Sequence, residues 1–89
     1  MIVRIDKTFH KDVGKITDAK VKEAIAEIIK ALLSTDELSE VNNLKKLVGY
    51  KNLYRIRLGN YRIGLEQTPE QELILIRFLH RKDIYQKWP

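Results

Sequence analysis

Four arginines and a tyrosine in the second half of the chain have the types and spacing to act on a polyanion. They are Arg55, Arg57, Arg62, Arg81 and Tyr85. A guanidinium group stays charged and presents a rigid fork of donors that matches phosphate oxygens. A tyrosine beside such a cluster can stack on a base or take part in proton transfer. The set therefore predicts contacts with a phosphodiester strand.

A β-hairpin is the element that brings most of these residues together. Residues 53–58 and 61–67 read as extended segments, and Gly59-Asn60 between them is a strong signal for a tight turn. Side chains alternate between the two faces along a strand. The apolar face then holds Tyr54, Ile56, Leu58, Tyr61, Ile63 and Leu65. This face is expected to lie on the core.

The opposite face of the predicted hairpin is crowded with positive charge. A two-residue loop places Arg57 directly opposite Arg62 and Arg55 opposite Gly64. Like charges in that position destabilise a sheet, and Glu66 offsets only part of this charge. A phosphate backbone would supply the missing negative charge, and Gly64 would leave room for it. The alternative is an ordinary solvated face whose arginine stems shield apolar surface.

A second polar cluster follows the last predicted strand. Arg81 and Tyr85 in it would border the arginine face. Histidine is the side-chain type suited to acid–base work near neutrality, which makes His80 a candidate for that role. The alternatives are a surface histidine with no role and a tyrosine that only covers the core. Trp88 is expected to pack the tail down or to meet a partner.

Several kinds of chemistry lack the residues they need. The chain has no cysteine, so thiolate nucleophiles, disulfides and cysteine metal sites are excluded. It also has no glycine-rich phosphate loop before a helix, no paired carboxylates and no metal-ligand spacing. Metal-dependent nuclease chemistry usually needs several carboxylates. We therefore expect no metal, no cofactor and a metal-independent mechanism.

The elements that must hold the hairpin form a short series. Hydrophobic spacing and turn signals predict a first strand at 2–6, a helix from a Thr8 cap to about Lys15, a helix over 18–34, a helical turn within 36–41, a last strand at 72–79 and a helical turn in the tail. The last strand is apolar on both faces, so it should lie inside the sheet. We expect one α+β domain over 1–89, with two N-terminal helices packed on a small antiparallel sheet (β-α-α-β-β-β).

The charge distribution agrees with a polyanion as partner. The net charge is +5, but residues 1–50 carry only +1, while residues 51–89 carry +4 and five of the six arginines. The first residues are charged, and no apolar stretch approaches the roughly 20 residues of a membrane helix. The chain is therefore expected to be cytoplasmic, with no membrane contact.

Two motifs carry a resemblance to a known family. The stretch LVGYKNLYRIRLGNYRI from Leu47, followed by FLHRKDIY from Phe78, resembles the RelE/ParE toxin superfamily. The resemblance implies a toxin of a bacterial type II toxin–antitoxin pair, bound by its antitoxin in a hetero-oligomer. It also implies an endoribonuclease that cuts mRNA in the ribosomal A site, with the RNA 2′-hydroxyl as nucleophile.

The same resemblance assigns roles to individual residues. Arg55 and Arg57 match the basic pair that grips RNA, Arg62 the arginine on the scissile phosphate, Arg81 the arginine that stabilises developing charge, and Tyr85 the C-terminal tyrosine at the reacting nucleotide. Lys51 and Lys82 complete the RNA-binding candidates. Because arginine is a poor proton carrier, His80 or Tyr85 must supply any acid–base step, or electrostatic stabilisation must dominate.

Two other functions stay open at the level of sequence. One is a ParE-like toxin that inhibits DNA gyrase by binding and needs no catalytic set. The other is a degenerate member that serves only as an antitoxin-binding module. The arginine and tyrosine set favours the nuclease over the gyrase inhibitor.

Overall fold

A computed structural model describes all 89 residues as three helices on one five-stranded sheet. The elements in chain order are β1 (Val3–Ile5), α1 (Lys7–Gly14), α2 (Ala19–Ser34), a 3-10 turn (Leu38–Glu40), β2 (Leu44–Lys46), β3 (Leu53–Leu58), β4 (Tyr61–Gln67), β5 (Leu73–His80) and α3 (Arg81–Lys87). The strand order across the sheet is β1-β5-β4-β3-β2. The α+β class is confirmed, and the predicted elements all occur in the predicted order. None of the helices is long and apolar enough to cross a bilayer.

The central hairpin has the register that its sequence predicts. Arg57 pairs with Arg62 and Arg55 with Gly64 across β3 and β4. Gly59 begins the turn with φ +57°, a backbone conformation that glycine adopts without a steric cost. β5 lies between β1 and β4, as its two apolar faces indicate. A register shift between β4 and β5 leaves Ile76 as an extra, unpaired residue of β5.

The sheet differs from the expected one at both of its edges. β1 pairs in parallel with β5, so the sheet is mixed rather than wholly antiparallel. At the other edge, β2 pairs antiparallel with β3 and was not predicted as a strand. With only three residues, one of them apolar, β2 has too short a pattern to be recognised. Leu44 nevertheless packs on the core, and Leu47 just beyond β2 is buried.

The two N-terminal helices begin at aspartate caps. The Asp18 carboxylate accepts from Lys20 N at 2.9 Å at the start of α2. At α1 the cap is Asp6, whose carboxylate accepts from Thr8 N at 3.0 Å, so the prediction of a Thr8 cap was wrong. The tail forms two turns of helix rather than one, because His80 caps α3 by accepting from Lys82 N at 3.2 Å.

Apolar side chains cover the two faces of the sheet unequally. On one face α1 and α2 pack over a cluster of nine buried residues, namely Phe9, Ile25, Leu32, Ile56, Ile63, Leu65, Leu73, Leu75 and Phe78. On the other face α3 packs over a cluster of three, namely Leu47, Ile84 and Trp88. We call the first the helix-covered face. The second is the arginine face, because it also carries Arg55, Arg57 and Arg62.

One buried carboxylate joins α1 to β5. Asp12 Oδ2 accepts from Arg77 Nε at 2.8 Å and from Phe78 N at 2.9 Å, and Asp12 Oδ1 accepts from Arg77 Nη2 at 3.2 Å. Three hydrogen bonds satisfy the charge that burial would otherwise penalise. Asp12 therefore fixes the helix on the strand next to the register shift.

Candidate nucleic-acid interface

The arginine face gathers cations from three neighbouring strands. Arg55 and Arg57 come from β3 and Arg62 from β4. Lys45 of β2 is the cross-strand partner of Arg55, so it extends the basic row to the edge of the sheet. Two cross-strand pairs of this face, Lys45–Arg55 and Arg57–Arg62, thus oppose like charges. Such pairing costs stability unless an anion lies between the partners.

These cations line a shallow groove with a volume of about 440 Å³. Its lining consists of Asn43, Leu44, Lys45, Arg55, Arg57, Arg62 and Tyr85. Four of the seven residues are cationic and none is acidic. An open groove of this composition suits an extended, negatively charged strand better than a compact apolar ligand.

No carboxylate neutralises the groove. The ion pairs of the chain are Arg4–Glu72 and Arg77–Asp12, and neither includes a groove residue. Glu66 was expected to offset part of the charge, but its carboxylate instead accepts from Asn52 Nδ2 at 3.2 Å. The positive field of the groove is therefore free to act on a ligand.

Hydrogen bonds to the backbone orient Arg62. Its Nη1 donates to Gly59 O at 2.9 Å and to Tyr61 O at 2.8 Å, at the turn of the hairpin. These bonds hold the guanidinium at one end while its other donors have no partner in the protein. Arg57 is held more loosely, through Nη2 and the Asn43 side-chain oxygen at 3.4 Å. Arg62 thus has the most firmly oriented guanidinium group of the groove.

Tyr85 joins the groove from α3. The guanidinium carbon of Arg55 lies 4.6 Å from the centre of the Tyr85 ring, which is a cation–π contact. The tyrosine is 61% exposed, so it does not cover the core. Ile84 on the same helix and Trp88 just after it are the residues that cover the core. Tyr85 is thereby free to meet a ligand in the groove.

The space above Gly64 does not belong to the groove. A Cβ built on Gly64 would lie 2.8 Å from two carbons of the Trp88 ring. The expectation that Gly64 leaves room for a phosphate backbone was therefore wrong, because the indole already occupies that room. Trp88 is 8% exposed and packs the tail onto the sheet, which is one of the two roles considered for it.

Other predicted site residues lie outside the groove lining. His80 stands edge-on to Tyr61, with ring centres 5.8 Å apart, and Tyr61 stacks on Phe78 in the larger core. This contact places His80 at the helix-covered face. Lys51 lines a separate groove beside the turn between β4 and β5.

The start of α3 lies at the end of the hairpin. The backbone N–H of Arg81 donates to Asn60 O at 2.8 Å, so Arg81 begins the helix beside the turn that also binds Arg62. Arg81 and Lys82 are both exposed there. No three or more His, Asp or Glu side chains anywhere in the chain converge so that they could hold a metal ion.

Sequence reasoning missed the contribution of β2. Asn43 and Lys45 line the groove, but Asn43 ends a segment that reads as a polar loop, and Lys45 lies in a stretch that was not predicted as a strand. The one available signal is the repeat of leucines around two lysines at 44–47, which is too short to distinguish a strand from a loop.

Comparison with known proteins places this geometry in a family. A family model described as the ParE toxin of the type II toxin–antitoxin system parDE matches residues 3–85. Toxin RelE3 of Methanocaldococcus jannaschii is 41% identical over 90 residues, which cover 100% of both chains. The chain belongs to the RelE/ParE toxin superfamily. A second relative from that organism, the putative toxin RelE1, is 28% identical and covers 91% of this chain and 89% of its own.

Solved structures of the superfamily share the fold. The toxin in a RelB–RelE antitoxin–toxin complex from Methanococcus jannaschii superposes with a TM-score of 0.81 at 38% identity, covering 97% of this chain and 99% of that one. A chain of the intact Escherichia coli RelBE complex matches with a TM-score of 0.69 at 21% identity, covering 89% and 94%, and supports the fold alone. The relatives with clear sequence identity are archaeal, so membership of the RelE/ParE superfamily does not carry the bacterial origin that the motifs implied.

Proposed function

We propose that this RelE/ParE member is the toxin of a type II toxin–antitoxin pair and cleaves mRNA on the ribosome as a metal-independent endoribonuclease. The observation that carries the proposal is the groove with four cations, one exposed tyrosine and no carboxylate. The similar RelE from M. jannaschii was crystallised with RelB, which supports a cognate antitoxin as the partner. Such an antitoxin would neutralise the groove with its own acidic side chains.

RNA binding follows from the charge of the groove. Lys45, Arg55 and Arg57 line the groove and would contact successive phosphates of a single strand. Bound phosphates would relieve the repulsion between the opposed cations. The loss of this repulsion would contribute part of the free energy of binding. Lys51 and Lys82, outside the groove, would add contacts to the flanking RNA.

The proposed reaction needs no group beyond the RNA itself and side chains. The 2′-oxygen forms a bond to the adjacent phosphorus, and the bond from phosphorus to the 5′-oxygen breaks. The products are a 2′,3′-cyclic phosphate and a free 5′-hydroxyl, after the 2′-hydroxyl loses its proton and the 5′-oxygen gains one. Negative charge grows on the non-bridging oxygens, where the firmly held Arg62 and the nearby Arg81 would stabilise it.

Tyr85 is the groove residue that can move a proton or stack on the reacting base. The arginines remain charged throughout and so act through their charge rather than as proton carriers. His80 lies against Tyr61 at the other face, so its part in acid–base work requires the substrate to reach past the end of the hairpin. The proposal therefore gives Tyr85 the first role and His80 a secondary one.

Arg62→Ala tests the catalytic assignment. We expect mRNA cleavage on purified ribosomes to fall about 100- to 1,000-fold, the range for loss of one oriented donor to a developing oxyanion. Arg4→Ala is the matched control, because it removes an arginine that lies on β1 and pairs with Glu72. Circular dichroism should show both variants folded. An Arg62→Ala protein that cleaves mRNA and arrests growth like wild type would remove this residue from the mechanism.

Inhibition of DNA gyrase is the second candidate function, because the matching family model describes ParE toxins. A gyrase inhibitor would act by binding, so purified protein would block supercoiling and leave ribosome-bound mRNA intact. A degenerate member would do neither. Its soluble expression without the antitoxin would leave growth unchanged. Running the supercoiling, cleavage and growth assays on one preparation separates these outcomes.

A further inference from the structure

We propose that Gly64 and Trp88 form a lock that positions Tyr85 in the groove. The indole of Trp88 sits in the notch left by the missing Gly64 side chain and so fixes α3 on the arginine face. Both are positioning residues, since neither lines the groove that would hold RNA. The catalytic part of this inference rests on the proposed function, while the lock itself is a statement about structure.

The indole occupies the space that a side chain on Gly64 would need. A Cβ on Gly64 would lie 2.8 Å from Cδ2 and Cε3 of Trp88 and 3.0 Å from Cζ3. The six-membered ring of the indole thus lies against the backbone of β4. Gly64 is in a strand interior, where glycine usually weakens the sheet. The indole explains why a glycine stands at this position, because the side chain of a larger residue would collide with the ring.

The contact of Trp88 with Gly64 and the contact of Tyr85 with Arg55 lie on the same cross-strand row of the sheet. Arg55 and Gly64 are direct cross-strand partners on β3 and β4. Tyr85 covers Arg55, while Trp88 covers Gly64. Trp88 directly follows α3, and its backbone N–H closes the last helical turn by donating to Ile84 O at 3.0 Å, so one turn of backbone connects it to Tyr85. A shift of Trp88 on Gly64 therefore moves Tyr85 on Arg55.

The position of α3 depends on two buried side chains, Ile84 and Trp88. The helix has seven residues, too few to be stable in water by itself. Its buried side chain is Ile84, and Trp88 N closes the last turn by donating to Ile84 O at 3.0 Å. Ile84, Trp88 and Leu47 make up the small cluster of the arginine face. Removing the indole from its notch removes one of the two buried side chains that anchor α3 and the tail.

Gly64→Ala is the sharpest test, because it adds one methyl group under the indole. Trp88 is the only tryptophan, so its fluorescence reports the lock directly. We expect its emission to shift to the red, and nuclear Overhauser contacts between Arg55 and Tyr85 to vanish. Single-turnover cleavage of ribosome-bound mRNA should slow about 100-fold, the scale for a displaced catalytic group. The half-saturating concentration should stay the same, because the four groove cations remain.

Gly14→Ala is the matched control. It also adds one methyl group, but nothing lies within 4 Å of the new atom and the residue is exposed at the end of α1. We expect wild-type fluorescence and wild-type cleavage from it. Trp88→Leu provides a second route to the same state, in case Gly64→Ala fails to fold. It should keep the larger core, shown by a cooperative thermal transition, and lose the Arg55–Tyr85 contacts.

A double variant separates positioning from a general structural role. If the lock acts through Tyr85, Gly64→Ala combined with Tyr85→Ala should cleave no more slowly than Tyr85→Ala alone. Additive losses would overturn the inference, as would unchanged tryptophan emission in Gly64→Ala, or red-shifted emission with the Arg55–Tyr85 contacts intact. If wild type cleaves no RNA, the proposed function fails, but emission and Overhauser contacts still decide whether the lock exists.

Discussion

The helix-covered face of the sheet buries nine apolar side chains in one cluster, whereas the arginine face buries three. Two helices of 8 and 16 residues cover the first, and a seven-residue helix covers part of the second. Buried apolar area is the main source of stability in a small domain. The first face therefore holds the fold together, while much of the second stays open for a ligand.

The two faces also differ in whether their charged groups are paired. The buried carboxylate of the helix-covered face, Asp12, has a cation and a backbone N–H as partners. On the arginine face Lys45, Arg55 and Arg57 have no carboxylate partner and remain in contact with water along the groove. An unpaired charge is tolerable where water solvates it and costly where it is buried. The sheet can thus carry mutually repelling cations on the face that is open to a ligand, because the buried carboxylate on its other face is fully hydrogen-bonded.

The largest effect is expected from truncation in the larger core. Phe78 is 2% exposed and stacks on Tyr61 at 4.9 Å between ring centres. Phe78→Ala should lower the free energy of unfolding by about 3–5 kcal/mol, from lost burial and a residual cavity. Ile84→Ala, in the smaller cluster, should cost about 2 kcal/mol, at the low end for such truncations. Urea denaturation measures both, and equal losses would mean that the faces contribute alike.

The next largest effect is expected from Asp12→Ala, which breaks the ion pair with Arg77. We expect a loss of about 2 kcal/mol, less than the roughly 3–5 kcal/mol of fully buried pairs, because Arg77 keeps some contact with water. Phe78 N also loses its acceptor. Arg77→Met alone should cost more than Arg77→Met combined with Asp12→Leu, which leaves no buried charge. The reverse order in urea denaturation would contradict this account.

A third substitution should raise the free energy of unfolding instead of lowering it. Arg57→Thr removes one of two opposed cations and adds a residue suited to strands, so stability should rise by up to about 1 kcal/mol. Binding to single-stranded RNA should weaken, and the slope of log affinity against log salt should fall by about 0.7 for one lost phosphate contact. Arg57→Lys should retain the slope. Weaker binding with an unchanged slope would show that Arg57 does not contact phosphate.

The two faces also differ in how far the sequence predicts them. The hairpin register and the shared face of the arginines follow from alternation and from the Gly59-Asn60 turn, so sequence alone places Arg55, Arg57 and Arg62 together. Alternation is a local rule, and a two-residue loop leaves one register. Lys45 could not be placed, because its strand exists only through pairing with β3.

Contacts between distant segments account for the other errors. Gly64 alone suggests an open space, and only the packing of a tail residue 24 positions later reveals that the space is filled. His80 is the last residue of β5, and the face it occupies depends on the register shift near Ile76. The cap of α1 was misplaced by a smaller margin. Both Asp6 and Thr8 are residues that cap helices, and sequence does not show which carries the non-helical backbone.

The smallest effect is expected at this cap, on the helix side of the molecule. The hydrogen bond from Thr8 N is the main reason that the pKa of Asp6 lies below its usual value. A lowered pKa means that the unfolded chain binds this proton more readily. The stability from the cap is therefore fully present above the usual pKa of aspartate and is lost as the pH falls through the lowered value. Asp6→Asn keeps a capping oxygen but should remove this pH dependence, seen as a flatter plot of thermal midpoint against pH between about 5 and 2. RNA affinity at neutral pH should stay the same, and a change there would mean that the two sides of the molecule are coupled.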